Sequence, residues 1–190
     1  MTTTEIKIGG FGGQGVILTG IIIGRAASIY DDQHATMTQA FGPEARGSAC
    51  SSQVIVSDQA VLYPYVTHPR VLVVMSQEAF TKFSPEIAPD ALLLYEEDLV
   101  KLKGLKPTVR TFGIPATRFA EELGRKMVLN IVMTGFFTAV TGLIGLEAMR
   151  DAVKDSVPPG TEGLNLTAFQ KGYDYGRSLV EGRTAVCGAK

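Results

Sequence analysis

The stretch GGFGGQGVILTG, residues 9–20, decides how this chain is read. It holds Gly10, Gly12 and Gly15 in a G-x-G-x-x-G run, directly after the β-branched segment EIKI (5–8). Beyond it, Val16, Ile17, Ile21, Ile22, Ala26 and Ile29 recur at helical spacing. A strand running through glycines into a helix is the opening of a Rossmann-like βα unit. Glycines there let the backbone turn sharply and let a phosphate approach the helix N-terminus, where free N–H groups and the helix dipole favour an anion. Gly12, Gly13, Gln14 and Gly15 are therefore the first candidate ligand-binding residues.

The second half of a dinucleotide fingerprint is missing. Such a site needs Asp or Glu at the end of the second strand to hold the ribose hydroxyls. Here the second strand, HATMTQ (34–39), runs into Gln39 and Ala40, while Asp31 and Asp32 precede it. Three readings stay open: glycines used only for a tight turn, a phosphate-bearing ligand other than a dinucleotide, and NAD or FAD, against which the missing acid counts.

Further strands are expected at SQVIVS (52–57), RVLVVMS (70–76), DALLLYE (90–96) and PTVRTFGI (107–114), with a short helix at EAFTKFSPEI (78–87). The continuous apolar run of RVLVVMS suits a strand buried on both faces. Between the second and third strands, AFGPEARGSACS (40–51) reads as a loop. A helical half follows, in ATRFAEELG (116–124), MVLNIVMTGFFTAVTGLIGL (127–146), LEAMRDAVKDSV (146–157) and NLTAFQKGYDYGRSLVEG (165–182), with RTAVCGAK (183–190) as a loose tail. Segment 127–146 is long enough to span a membrane. Asn130, Thr134, Thr138 and Thr141 favour a buried helix in a core or subunit interface instead, with Gly135, Ala139 and Gly142 allowing close packing. The expectation is an α/β fold, a Rossmann-like mostly parallel sheet with flanking helices and an additional C-terminal helical segment, in one domain over 1–190.

Composition sets the remaining bounds. A net charge of −1 gives no reason to expect nucleic acid or an anionic membrane surface. Two cysteines, Cys50 and Cys187, are too few for an iron–sulfur cluster or a four-cysteine zinc site. With no secretory signal at the start, reduced thiols in a cytoplasm are expected, Cys50 as a buried one. His34 and His68 lack identifiable partners for metal binding or proton transfer, so no catalytic or metal-binding residue is assigned. Arg118, Arg125 and Lys126 read as a solvated face or subunit contact, and Phe169, Tyr173 and Tyr175 as packing.

The most unusual stretch is TQAFGPEARGSACSSQVIVSD (38–58). Pro43 fixes the backbone beside Gly42, Glu44 and Arg46 bring opposite charges together, and Gly47 and Ser48 keep the chain slim. In a parallel sheet this loop leaves the carboxyl end of the second strand, beside the glycine loop. Arg46 could then grip an anion bidentately with Glu44 orienting it, or the two could form a local ion pair on a turn.

Together GGFGGQGV, GPEARG, VIVSD and YP (63–64) resemble the γ subunit, or γ domain, of the thiamine-diphosphate-dependent 2-oxoacid:ferredoxin oxidoreductases. The resemblance is strong from Ile6 to beyond Met75 and looser over the helical half. The GPEARG form is similar to the 2-oxoglutarate branch. The resemblance implies a non-redox subunit, inactive alone, of a complex that converts a 2-oxoacid and coenzyme A to acyl-CoA and carbon dioxide and reduces ferredoxin or another acceptor. It implies that thiamine diphosphate, Mg2+ and the iron–sulfur clusters belong to partner subunits, and that this chain holds no cofactor of its own but helps form the coenzyme A site. By position Gly12, Gly13, Gln14 and Gly15, with Glu44, Ala45, Arg46 and Gly47, carry the motifs. Where the family commonly reads Ser-Tyr-Gly-Pro-Glu-Ala-Arg-Gly-Gly, this chain has Ala40-Phe41 and Ser48, with Cys50 nearby. An aromatic 2-oxoacid such as phenylglyoxylate, with NAD as final acceptor, is the alternative within the class. A free-standing NAD(P)-binding dehydrogenase and a pure scaffold subunit are the alternatives outside it.

Overall fold

The computed structural model describes residues 2–41 and 49–187. Among them, six strands form one sheet: β1 (Thr3–Phe11), β2 (His34–Ala40), β3 (Ala49–Ser57), β4 (Val71–Val74), β5 (Leu92–Glu96) and β6 (Arg110–Ile114), in the order β2-β3-β1-β4-β5-β6. β1, β4, β5 and β6 pair in parallel, and β3 runs antiparallel to both its neighbours. Five strands therefore share one direction and β3 opposes them. The mostly parallel sheet expected from the sequence holds with that one exception. Only residues 41–48 join β2 to β3. That is shorter than the dozen or so residues a parallel crossover needs, so the two strands pair as antiparallel neighbours.

Alternation along each strand divides the core in two. Ile6, Ile8, Val54, Val56, Val71, Val73, Leu92, Leu94, Phe112 and Ile114 face the helical half. Leu72, Val74 and Leu93 face Ala79, Phe80 and Phe83 of α2 (Gln77–Phe83) on the other side. Both faces of β4 are thus buried, which is why its sequence is apolar without a break.

The first face is covered by α1 (Val16–Arg25), α3 (Ala116–Glu122), α4 (Leu129–Thr141), α5 (Leu146–Ser156) and α6 (Glu162–Cys187). α1 continues as a π turn, Ala26–Tyr30. α4 is the buried helix expected from the apolar segment, shortened to one that begins at Leu129 and ends at Thr141. Its hydroxyls are satisfied within the helix: Thr134, Thr138 and Thr141 donate to the carbonyls of Asn130, Thr134 and Phe137 at 2.7–2.8 Å. Gly135 does allow close packing, since a Cβ there would lie 1.9 Å from the Phe169 carbonyl oxygen of α6. Gly142 has another use, ending α4 in the left-handed conformation at φ 58°. No helix among the described residues is long and apolar enough to cross a membrane.

Two boundaries differ from expectation. Ala49, Cys50 and Ser51, assigned to a loop from their small side chains, are the first residues of β3, held by pairing to Phe11, Gly10 and Gly9. The C-terminal helix runs on through 183–187, which was expected to be a loose tail. No helix breaker stands between Gly182 and Gly188, so a helix anchored on α4 propagates.

Candidate functional site

The glycine stretch lies at the carboxyl edge of the sheet, where open α/β folds take their ligands. Gly9 and Gly10 are still inside β1, opposite Ser51 and Cys50, and the turn begins only at Gly12. Gly13 at φ 98° and Gly15 at φ 74° then reverse the chain through conformations that L side chains rarely adopt. The Gln14 N–H donates to the Phe11 carbonyl at 3.1 Å and closes the turn.

Gln14 was expected to contact a ligand, but both ends of its amide are engaged. Its Oε1 accepts from the Phe11 N–H at 2.7 Å, and its Nε2 donates to the Met75 carbonyl at 2.9 Å. The side chain ties the end of β1 to the end of β4 and fills the inside of the loop. What the loop leaves free is backbone. α1 has no side-chain cap, and no acidic residue stands in its first turn. Among the described residues no acceptor meets the N–H groups of Val16, Ile17 and Leu18. An uncapped first turn of this kind concentrates about half a positive charge at its tip.

Asn130, in the first turn of α4, packs against that tip. It is only 3% exposed, and a Cβ on Gly15 would lie 2.5 Å from its Cγ and Nδ2. Its Nδ2 has no hydrogen-bond partner. The sequence pointed to Asn130 only as a polar interruption of an apolar run. The signal available was chemical, since the neighbouring threonines can bond back into their own helix and an Asn side chain needs an outside partner.

The second candidate group, Glu44, Ala45, Arg46 and Gly47, lies outside the described residues. Its flanks are placed: Ala40 pairs with Ser51, and Ala49 pairs with Phe11. Ala49 thus stands beside the start of the glycine loop, and Ala40 one strand further out at the same edge of the sheet. Phe41 stands 69% exposed at this edge, and Met127, three residues before Asn130, is 84% exposed. Cys50 is buried next to Gly10, and burial pushes its thiol pKa up, so it stays protonated and unreactive.

The other singled-out residues have structural places. His34 opens β2, and the His68 backbone N–H, like that of Thr67, donates to the Glu5 carboxylate at 2.9 Å, both histidines being exposed. Arg118 is engaged locally by Glu97 at 2.7 Å and Asp98 at 2.8 Å. Phe169 is buried, and Tyr175 packs edge-on to Phe119. Nearby Glu96, unremarked in the sequence, ends β5 with its carboxylate fully buried. It accepts N–H bonds from Leu99 at 2.6 Å and from Thr117 at 3.1 Å, tying the strand end to the start of α3.

A dinucleotide site is not what this edge builds. β3 lies between β1 and β2, so the strand whose end would carry a ribose-binding acid is one place removed. Residues 5–175 match the family described as Pyruvate ferredoxin/flavodoxin oxidoreductase. The 2-oxoglutarate synthase subunit KorC of Methanocaldococcus jannaschii is 46% identical over 177 residues, 92% of this chain and 95% of that protein. Among solved structures, the gamma subunit of a keto/oxoacid ferredoxin oxidoreductase from Geobacter sulfurreducens is 38% identical with a TM-score of 0.81, covering 92% of this chain and 99% of the other. The fold also recurs at TM-score 0.84 and 21% identity in a third of a longer chain. That chain is the 2-oxoglutarate:ferredoxin oxidoreductase from Magnetococcus marinus, solved with 2-oxoglutarate, coenzyme A and succinyl-CoA bound, and the match covers 94% of this chain and 32% of that one. The chain belongs to the pyruvate ferredoxin/flavodoxin oxidoreductase family, as a counterpart of the gamma subunit of its 2-oxoacid:ferredoxin enzymes.

Proposed function

We propose that this chain serves a coenzyme A-acylating 2-oxoglutarate oxidoreductase as its gamma subunit, and that its glycine-loop edge receives a phosphate group of coenzyme A. In the reaction, 2-oxoglutarate and coenzyme A give succinyl-CoA, carbon dioxide, a proton and two electrons, the electrons passing to ferredoxin. Thiamine diphosphate and the iron–sulfur clusters reside on partner subunits and supply the carbon–carbon cleavage and electron transfer. This chain binds and orients. The observation that carries the reading is the uncapped α1 tip, with Gly13 and Gly15 clearing the approach and no acidic residue in the first turn of the helix. A phosphate at such a tip gains roughly 0.3–2 kcal/mol from the dipole, besides its individual hydrogen bonds. The 46% identity to a 2-oxoglutarate synthase subunit favours 2-oxoglutarate over an aromatic acid.

The test uses the complex purified with its native partners and follows coenzyme A-dependent reduction of viologen dye. Gly13 is exposed, with no atom within 4 Å of a Cβ added there. Gly13→Asp places a carboxylate at the tip and is expected to raise KM for coenzyme A at least tenfold, a loss of about 1.4 kcal/mol. KM for 2-oxoglutarate stays unchanged, and Gly13→Ala, which carries the same backbone strain without the charge, stays within twofold of wild type. An unchanged KM for coenzyme A in Gly13→Asp overturns the ligand role. Turnover of phenylglyoxylate in place of 2-oxoglutarate overturns the substrate.

A further inference from the structure

We infer that the side-chain amide of Asn130 is a direct hydrogen-bond donor to the anion held at the α1 tip, and so a specificity-determining residue of the coenzyme A site. The inference rests on the reading above and adds a residue that no sequence motif marks. Three facts converge on one spot. The first-turn N–H groups of α1 have no acceptor among the described residues. The Asn130 Nδ2 is buried at the same place without a partner. Gly15 carries no side chain because Asn130 occupies the space where its Cβ would stand.

Donors alone do not make a stable cluster. A buried amide N–H left unpaired costs about 1–3 kcal/mol, and setting it against the positive end of a helix adds repulsion. An asparagine serving only as a cap would turn its oxygen toward the α1 N–H groups, as Asn does at helix N-termini. Its nitrogen is partnerless beside Gly15, so it can join the backbone N–H groups as a donor to one acceptor at that end. An oxyanion carrying several lone pairs satisfies all of them at once, and on the reading above a phosphate group of coenzyme A supplies it. The apolar surroundings of Asn130, with Val128, Leu129 and Ile131 buried beside it, strengthen each such bond relative to water.

Two substitutions in the native complex separate this from a structural role. Asn130→Asp puts a carboxylate at the tip. A plain cap would be improved by it, because Asp accepts the α1 N–H bonds and suits the dipole. An anion donor would be abolished by it. The expected result is a KM for coenzyme A raised at least tenfold, with KM for 2-oxoglutarate unchanged and thermal stability equal to or above wild type. Asn130→Ala removes the donor without adding charge and is expected to raise KM for coenzyme A at least threefold. It also decides the matter if the Asp variant fails to assemble. Values of KM for coenzyme A within twofold of wild type in Asn130→Ala, or in an assembled Asn130→Asp, overturn the inference. If Gly13→Asp raises that KM while the Asn130 variants do not, only the role of Asn130 falls. If none of them raises it, the coenzyme A reading falls with it.

Discussion

Replacing Gly172 by Ala should cost this protein about as much as many core truncations, although it adds only one methyl group. Gly172 sits in α6 where that helix crosses α4. A Cβ there would lie 2.0 Å from the Val132 carbonyl oxygen, 2.8 Å from its carbon and 3.1 Å from the Phe136 nitrogen. All three atoms are backbone, so no rotamer change relieves the clash. The reciprocal contact is as tight, with Gly135 of α4 against the Phe169 carbonyl of α6 at 1.9 Å. Real Cβ atoms essentially never come within 3.0 Å of such neighbours, so the helices must part by about 1 Å. A gap of that size forfeits roughly a quarter to a half of each contact across the seam, where Phe136 and Phe169 are fully buried. Overpacking of this kind costs about 3 kcal/mol or more. Higher helix propensity returns about 1 kcal/mol. The net loss is about 2–3 kcal/mol, which for a chain of this length lowers Tm by roughly 5–10 °C. Thermal unfolding followed by far-ultraviolet circular dichroism measures it. Gly182→Ala is the control, on the same helix with nothing within 4 Å of the added Cβ. It should leave Tm unchanged or raise it by a few degrees, from up to about 1 kcal/mol of propensity. A Gly172→Ala protein as stable as wild type would refute the account of the α4–α6 seam.

Glu96 and Lys7 give two further tests. Burial pushes the Glu96 carboxyl above its ordinary value of 4.5, partly opposed by the N–H bonds from Thr117 and Leu99. The folded state then holds the proton more tightly than the unfolded chain. Its contribution is complete below pH 4.5 and is lost as pH rises through the folded value. The stability difference between wild type and Glu96→Gln, from urea unfolding at a series of pH values, should therefore fall as pH rises above 4.5, and a flat difference would contradict this assignment. Lys7, with its side chain 8% exposed, pairs at 2.5 Å with Glu86, which is 47% exposed, and lies 4.4 Å from the centre of the Phe83 ring. Glu86→Ala strands a buried ammonium and should cost about 2 kcal/mol, less than the 3–5 of a fully buried pair. Lys7→Met keeps the volume and should stay within about 1.5 kcal/mol of wild type. Denaturant unfolding giving the opposite order would refute the asymmetry.

The sequence carried the sheet and its order of elements because the signals there are local. The centres of RVLVVMS and DALLLYE are unbroken apolar runs of four or five residues, short enough for strands and suited to burial on both faces. The reversal of β3 was also within reach, since residues 41–48 are too few to cross back over the sheet. It was missed because the strand's first residues, Ala49 to Ser51, are small and resemble the loop before them. Their strand geometry comes from pairing with Phe11, Gly10 and Gly9, which no local window contains. Gly142 shows the same limit in reverse. Spacing grouped it with Gly135 and Ala139 as a packing residue, whereas its backbone ends the helix. For the site, the glycines marked the place but not the division of labour. Gln14 stands in the middle of the motif and spends its amide on Phe11 and Met75. Asn130 lies outside any motif and brings an unpaired donor to the tip.

The fate of the glycine loop follows from where the sheet places it. In a dinucleotide site the turn starts at the first glycine, and the neighbouring strand supplies an acid for the ribose hydroxyls. Here Gly10 remains paired within β1, and the turn is carried by Gly12 to Gly15. β3 separates β1 from β2 by one strand, about 4.8 Å in a sheet. The uncapped helix remains, while no acid stands at the end of β2 to read a free ribose diol. Coenzyme A carries a phosphate on its ribose, and a carboxylate aimed there would repel it. On the proposed reading, then, the absent acid is a requirement rather than a defect, and an edge rich in donors suits a ligand with three phosphate groups. An acid introduced at the carboxyl end of β2, as in Ala40→Glu, should accordingly create no binding of NAD, because β3 keeps it one strand from the glycine loop, and NAD binding by that variant would show the dinucleotide site to be intact.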